Sequence, residues 1–251
     1  SIMYDIVRKF SSGKKINLAL NDKNKLQLES DKSNFNLNCI SASEFPFTDE
    51  NFNQNEFSIG SKQLLKLLNK CKFSISNDET RHYLSGIYIH QNEVDEKNYL
   101  TAVATDSHRM SISKVRLDQK IKFEPIILPK KTIFQLCSLL DNYDGTVKIS
   151  NIKSKIKFEL KNSVLISKLI DGKFPNYIQV IPKNNQKKLE IDLKLFLNSV
   201  DRVASVSLDK KDGVKFDLSN NTLNLSVNNT NSGEGKETLS VKFDHILEIS
   251  F

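Results

Sequence analysis

A chain of 251 residues has room for one or two ordinary domains, and its formal net charge is +7. With 38% hydrophobic and 27% charged residues and a mean hydropathy of -0.40, it reads as globular and soluble. No apolar run approaches the roughly twenty residues of a membrane-spanning helix, which excludes that class.

The amino terminus, SIMYDIVRKF, carries no cationic leader, apolar core or cleavage site, so a cytoplasmic protein is expected. It also lacks an initiator methionine, as expected of a fragment or a processed chain. Cys39, Cys71 and Cys137 are odd in number, far apart and set in apolar patterns. That predicts reduced thiols used as small core residues rather than disulfides or a zinc site. The basic balance is compatible with nucleic acid, but Lys and Asn are enriched everywhere, so charge alone does not decide.

In chain order, a short helix over Ile2–Phe10 precedes the alternating strands INLAL, KLQLES and NFNLNCI. A Phe-Pro corner, Glu44-Phe45-Pro46-Phe47, follows, and then a helix over Ser61–Lys70. Next come RHYLSGIYIH, the polar turn QNEVDEKN, and YLTAVATDSHRMSISKV, read as two half-buried strands interrupted by the polar cluster Thr105–Met110. The strand PIILP leads into a helix over Lys131–Leu140, followed by TVKIS, KIKFEL and VLISKL. Asp171–Pro182 reads as a second rigid Phe-Pro corner, 129 residues after the first. A helix over Asp192–Val203 and the strands VKFDLS, TLNLSV and LSVKF complete the chain.

Helix starts at residues 61, 131 and 192, each leading into strands, indicate one supersecondary unit copied along the chain. Two units make one domain, which gives residues 1–53 as the second half of one domain, 54–182 as a complete domain, and 183–251 as the first half of a third. A solenoid is the alternative, but strand-rich units with one short helix suit closed sheets better.

Each helix has a polar side. Lys62, Lys66 and Lys70 recur at four-residue spacing opposite Leu64, Leu65, Leu67 and Leu68. Lys131, Gln135 and Ser138 lie opposite Ile133, Phe134, Leu136 and Leu140, while Arg8, Lys9, Lys194 and Arg202 mark the outer helices. Such faces are ordinarily just solvated.

Asp106 and His108 form an Asp-x-His pair that would suit a metal ligand set or a hydrolase dyad. His82, His90 and His245 show no partner spacing, and neither G-x-S-x-G nor H-E-x-x-H occurs, so no catalysis and no cofactor are expected.

Three patterns together, R-x-Y-L-x-G from Arg81, T-D-x-H-R from Thr105 and G-x-F-P-x-Y from Gly172, resemble the bacterial sliding clamp, the β subunit of DNA polymerase III. The resemblance implies an α+β fold of repeated helix-plus-antiparallel-strands units, sheets outside and short helices lining the inside. It implies a homodimeric ring that encircles double-stranded DNA, tethers the replicative polymerase subunit, and has a clamp loader among its partners. Other proteins with a clamp-binding motif would share one peptide pocket, here Leu84, Thr105, Ser107, His108, Arg109, Met110, Pro175 and Val180.

DNA contacts implied by the resemblance are Arg81, His82 and Tyr83, with Lys131 and the helix lysines Lys62, Lys66 and Lys70 meeting phosphates. The implied dimer edge uses Ile6, Phe10, Phe35 and Leu37 on one side and Ser205 and Val206 on the other, with a thin acidic patch at Glu234 and Glu237. Ser107 stands where glycine is usual and Gln179 where arginine is frequent. The carboxy-terminal strip that completes the pocket lies beyond Phe251, so weakened partner binding is expected. The alternative reading is a basic nucleic-acid-binding protein that does not encircle its ligand.

Overall fold

The computed structural model describes residues 2–21, 24–45, 52, 56–118, 120–207 and 212–251. They divide into two compact units, Ser1–Phe174 and Pro175–Phe251. The expected break near residue 53 and half of the first Phe-Pro corner, Pro46 and Phe47, lie outside the described residues.

The first unit opens with helix α1 (Ile2–Val7) and an antiparallel sheet of β1 (Asn17–Leu20), β2 (Lys25–Ser30) and β3 (Ser33–Asn38). Two similar runs follow. One is β4 (Glu56–Gly60), α2 (Ser61–Asn69), β5 (Gly86–Val94), β6 (Lys97–Thr105) and β7 (Met110–Leu117). The other is β8 (Ile126–Pro129), α3 (Lys130–Asp141), β9 (Thr146–Ile152), β10 (Lys155–Leu160) and β11 (Ser163–Lys168).

The two runs exchange their leading strands. β4 pairs with β9, Ile59 opposite Val147, giving the order β11-β10-β9-β4. β8 pairs with β5, Ile87 opposite Leu128, giving β7-β6-β5-β8. This reciprocal pairing makes one closed body of two repeats and disposes of a solenoid, whose repeats contact only their neighbours.

Both helices cover the same core. Leu64, Leu67 and Leu68 of α2 and Ile133, Leu136 and Leu140 of α3 are buried with Ile87, Leu128, Val147 and Phe158. The helix ends are tied together by Ser61, whose hydroxyl donates to the Tyr143 carbonyl (2.8 Å) and accepts from Gly145 N (3.2 Å). Opposite this face Lys62, Lys66, Lys70 and Lys131 are exposed, as 3.6-residue periodicity requires.

In the second unit α4 (Leu193–Ala204) is capped by Asp192, whose carboxylate accepts from Leu195 N at 2.8 Å. The sheet order is β14-β13-β12-β15, from β12 (Lys215–Ser219), β13 (Thr222–Asn229), β14 (Gly233–Ser240) and β15 (Leu247–Ser250). Val203, Leu218, Leu223, Leu225, Val227 and Leu239 form its core.

Several expectations need correction. QNEVDEKN is not an eight-residue loop: β5 and β6 run through it and turn at Asp95 and Glu96 alone, with φ of 49° and 59°. Such a two-residue turn with positive φ matches the strand twist, and the polar strand ends simply stand in solvent. Arg81–Leu84 is not strand but belongs to a 3₁₀ segment, Glu79–Leu84, begun by the Asp78 cap. The strand expected at LSVKF is instead GEGKETLS, and a further strand, β15, follows it; glycines and alternating charges hide the former, and four exposed residues the latter. Phe134 is 47% exposed rather than on the apolar face, with the Lys72 ammonium 5.6 Å from its ring centre. Cys39 is exposed just past the end of β3, unlike buried Cys71 and Cys137.

Two predictions follow from this packing. Leu68→Ala opens a void beside Leu64 and Leu67 and is expected to cost about 3 kcal/mol of unfolding free energy, whereas Phe134→Ala stays below about 1; urea unfolding of both variants checks this. Burial pushes the Cys71 thiol up to about 12 and raises Cys137 as well. A thiol reagent at pH 8 is therefore expected to label one cysteine, Cys39, in the native chain and all three in denaturant.

Candidate functional site

The turn between β6 and β7 is built by its own side chains. Thr105 donates its hydroxyl to the Arg109 carbonyl (2.8 Å) and accepts from Ser107 N (3.1 Å). Asp106 Oδ1 accepts from His108 N and Arg109 N, both at 3.0 Å, and Oδ2 from Arg109 Nε at 3.1 Å. Burial pushes the Asp106 carboxyl up, but the backbone donors of Arg109 and His108 and the guanidinium outweigh it and hold it below the usual range. The carboxylate of the Asp-x-His pair is thus engaged as a turn cap. Among the described residues no three His, Cys, Asp or Glu side chains come together as a metal set.

This arrangement leaves His108 and Arg109 exposed and Met110 half-exposed on one rim. The Arg109 guanidinium lies 5.7 Å from the ring centre of Phe73, itself 57% exposed. Such a rim can offer an apolar surface with cationic donors, the chemistry that holds a short peptide by side chain and backbone together. Sequence reading missed Phe73, because it stands in the 3₁₀ turn Lys72–Ser74 outside any periodic element.

Ser107 has φ of 77°, the left-handed region that glycine enters freely and an L-residue enters at a cost on the order of 1 kcal/mol. Its hydroxyl accepts from Arg81 Nη1 at 2.6 Å, and Arg81 Nε donates to Asp78 Oδ2 at 2.8 Å. The peptide rim and the segment expected to meet DNA are therefore adjacent. Leu84, at the end of that segment, is only 3% exposed, so it supports the surface from beneath. His82 is exposed, and its Nε2 lies 3.1 Å from the Asp171 carbonyl; Tyr83 is half-buried, its ring 5.9 Å from that of His82.

The corner begins where Gly172, at φ of 150°, passes within 3.3 Å of Tyr83 Cβ, measured from where a Cβ would sit. Phe174 is buried and stacks on Tyr88, centroids 4.8 Å apart and planes 4° from parallel. Pro175 and Val180 belong to the second unit and are both exposed, Val180 closing the 3₁₀ turn Tyr177–Val180.

Of the expected phosphate contacts, Lys62 is ion-paired with Asp144 at 2.6 Å, both well exposed. Lys66, Lys70 and Lys131 stand in solvent on α2, at its carboxy-terminal cap and on α3. The expected edge residues Ile6, Phe10 and Phe35 surround a hollow of about 300 Å³ with Ile2, Asp5 and Lys9, and Phe10 meets Phe35 edge-on at 6.2 Å. Leu37 is half-buried on the same strand. In the second unit Ser205 is exposed past the end of α4, and Val206 lies against Gly235. Glu237 of the acidic patch is taken by Arg202, Nε to Oε2 at 3.0 Å, and by the buried Ser199 hydroxyl at 2.7 Å.

The Asp78 carboxyl, held down first by the Thr80 hydroxyl and then by Arg81, is lowered to about 2. A depressed folded value means that its contribution is complete above the ordinary value near 4 and is lost as pH falls through about 2. Carbonyl carbon NMR is expected to titrate Asp78 near pH 2; a midpoint near 4 would contradict the Thr80–Asp78–Arg81 linkage.

Family models for the DNA polymerase III beta subunit match along the chain: its N-terminal domain over residues 1–49, its central domain over 58–176 and its C-terminal domain over 178–251. The beta sliding clamp of Caulobacter vibrioides is 34% identical over 244 residues, covering 96% of this chain and 66% of the relative. That of Rickettsia felis is 36% identical and covers 96% and 63%; that of Escherichia coli K12 is 30% identical and covers 99% and 67%. The chain thus spans about two thirds, or slightly less, of the length of these relatives. Among solved structures, the Caulobacter crescentus beta sliding clamp matches with a TM-score of 0.92 at 34% identity, covering all of this chain and 67% of that one. The Bartonella birtlesii DnaN sliding clamp bound to griselimycin matches with 0.89 at 35%, covering 100% and 68%. On the strand order, the turn and corner motifs and these matches, the chain belongs to the family of the DNA polymerase III beta subunit, the beta sliding clamps.

Proposed function

We propose that the protein acts as a DNA sliding clamp, a ring that encircles duplex DNA and tethers the replicative polymerase as a processivity factor. The observation that carries this reading is the membership just established, over all three family domains. The geometry is consistent with it: a lysine-bearing helix face and the exposed rim of Ser107, His108 and Arg109 lie on different elements of the first unit. Residues 1–53, 54–182 and 183–251 would be the second half of domain one, a complete domain two and the first half of domain three.

On this reading Lys66, Lys70 and Lys131 meet phosphates loosely, without reading sequence, which suits sliding because no register along the duplex is preferred. Lys62 contributes less, its charge being answered by Asp144. The rim of Thr105, Ser107, His108, Arg109 and Met110 in the first unit receives a peptide from the polymerase, the clamp loader or other partners. Tethering raises the local concentration of the polymerase at the primer end. The hollow at Ile6, Phe10 and Phe35 receives the apolar side of a second subunit near Ser205 and Val206, and the cytoplasm is the site of action. No chemical step is assigned to the chain.

The reading is tested by retention on DNA of the intact protein that carries this sequence, loaded by its loader. Retention on nicked circles and rapid loss after linearisation, at low salt, is the expected outcome. Equal retention on both forms, with a steep fall in salt, would contradict encirclement and support a groove-type basic binder instead.

A further inference from the structure

Arg81 and Ser107 fall in two different functional groups, the DNA-facing segment and the peptide rim, yet a 2.6 Å hydrogen bond joins them. We propose that Arg81 is a positioning residue for the Thr105–Met110 turn, a role created by the serine at position 107. This rests on the partner-docking reading above and deepens it.

The argument starts from the backbone. At φ of 77° a residue with a Cβ is strained, and glycine would adopt the conformation freely. The turn's internal bonds, from Thr105 and Asp106, hold the backbone on either side but leave the Ser107 side chain to be fixed from outside. Arg81 supplies that restraint through Nη1. Its guanidinium is aimed in turn by Asp78, which accepts Nε at 2.8 Å and is itself fixed by the Thr80 hydroxyl at 2.6 Å.

A continuous chain of bonds therefore runs from the 3₁₀ segment into the rim. A planar guanidinium suits this task because its donors point in fixed directions, so one can face Asp78 while another faces Ser107. An ammonium has three donors but on a flexible stem with no fixed directions, so it restrains Ser107 less firmly. Arg81 touches no partner in this role; it acts through the orientation of Ser107, His108 and Arg109.

The test uses the full chain as wild type, Arg81→Gln, Arg81→Lys, Ser107→Gly and the double variant Arg81→Gln/Ser107→Gly. Nitrogen-15 relaxation gives order parameters for the amides of residues 105–110, and anisotropy gives the affinity of a labelled clamp-binding peptide. Arg81→Gln and Arg81→Lys are each expected to lower the order parameters from the rigid range near 0.85 toward about 0.6 and to weaken the peptide several-fold. In the Ser107→Gly background Arg81→Gln is expected to change neither quantity further. Unchanged order parameters in Arg81→Gln, or an equal drop in both backgrounds, would overturn the proposal. The order parameters are read without any partner. A wild-type chain that binds no peptide would therefore overturn the docking reading, while the turn pattern still decides the role of Arg81.

Discussion

The exchange of leading strands between two copies of one unit is the constraint on which the rest depends. Neither copy has a complete sheet alone: β5–β7 needs β8 from the second, and β9–β11 needs β4 from the first. Because β4 runs directly into α2 and β8 into α3, each pairing also fixes where a helix begins. The two helices then bury Leu64, Leu67 and Leu68 against Ile133, Leu136 and Leu140, and their opposite faces turn outward together. Shared exposure of Lys66, Lys70 and Lys131 is thus a by-product of sheet topology.

The two proposed functional faces draw on different chemistry. Lysines at helical spacing give a diffuse positive surface with little geometric demand, adequate for a polyanion that must not be held in register. The rim demands geometry. Four residues between two strands are shaped by Thr105 and Asp106 hydrogen bonds, and the exposed ends of His108 and Arg109 project from a turn whose backbone is over-determined. At the corner a buried aromatic, Phe174 stacked on Tyr88, anchors the end of the first unit.

Elements with strict periodicity were legible from the sequence. The α2 leucines and lysines, the alternating strands of β9 and β10 and the T-D-x-H-R turn all sit where their pattern places them. What escaped was whatever period cannot encode. The Asp95–Glu96 turn is flanked by polar strand ends that look like loop, and β14 is an edge strand of glycine and charge. Phe134 follows the helical period poorly because Thr132 and Cys137 take the buried positions instead. The link from Arg81 to Ser107 spans 26 residues and depends on side-chain reach, which no local pattern reports.

The central claim is that the Thr105–Met110 rim is a docking surface for partner peptides. Chemical-shift mapping on the nitrogen-15-labelled chain tests it most directly, with an unlabelled peptide bearing a glutamine and spaced leucine and phenylalanine anchors. The account predicts saturable shifts centred on the amides of residues 105–110, with those of α2 and α3 unmoved. Shifts confined to the lysine-bearing helices, or none at peptide concentrations that saturate a full-length relative, would contradict it.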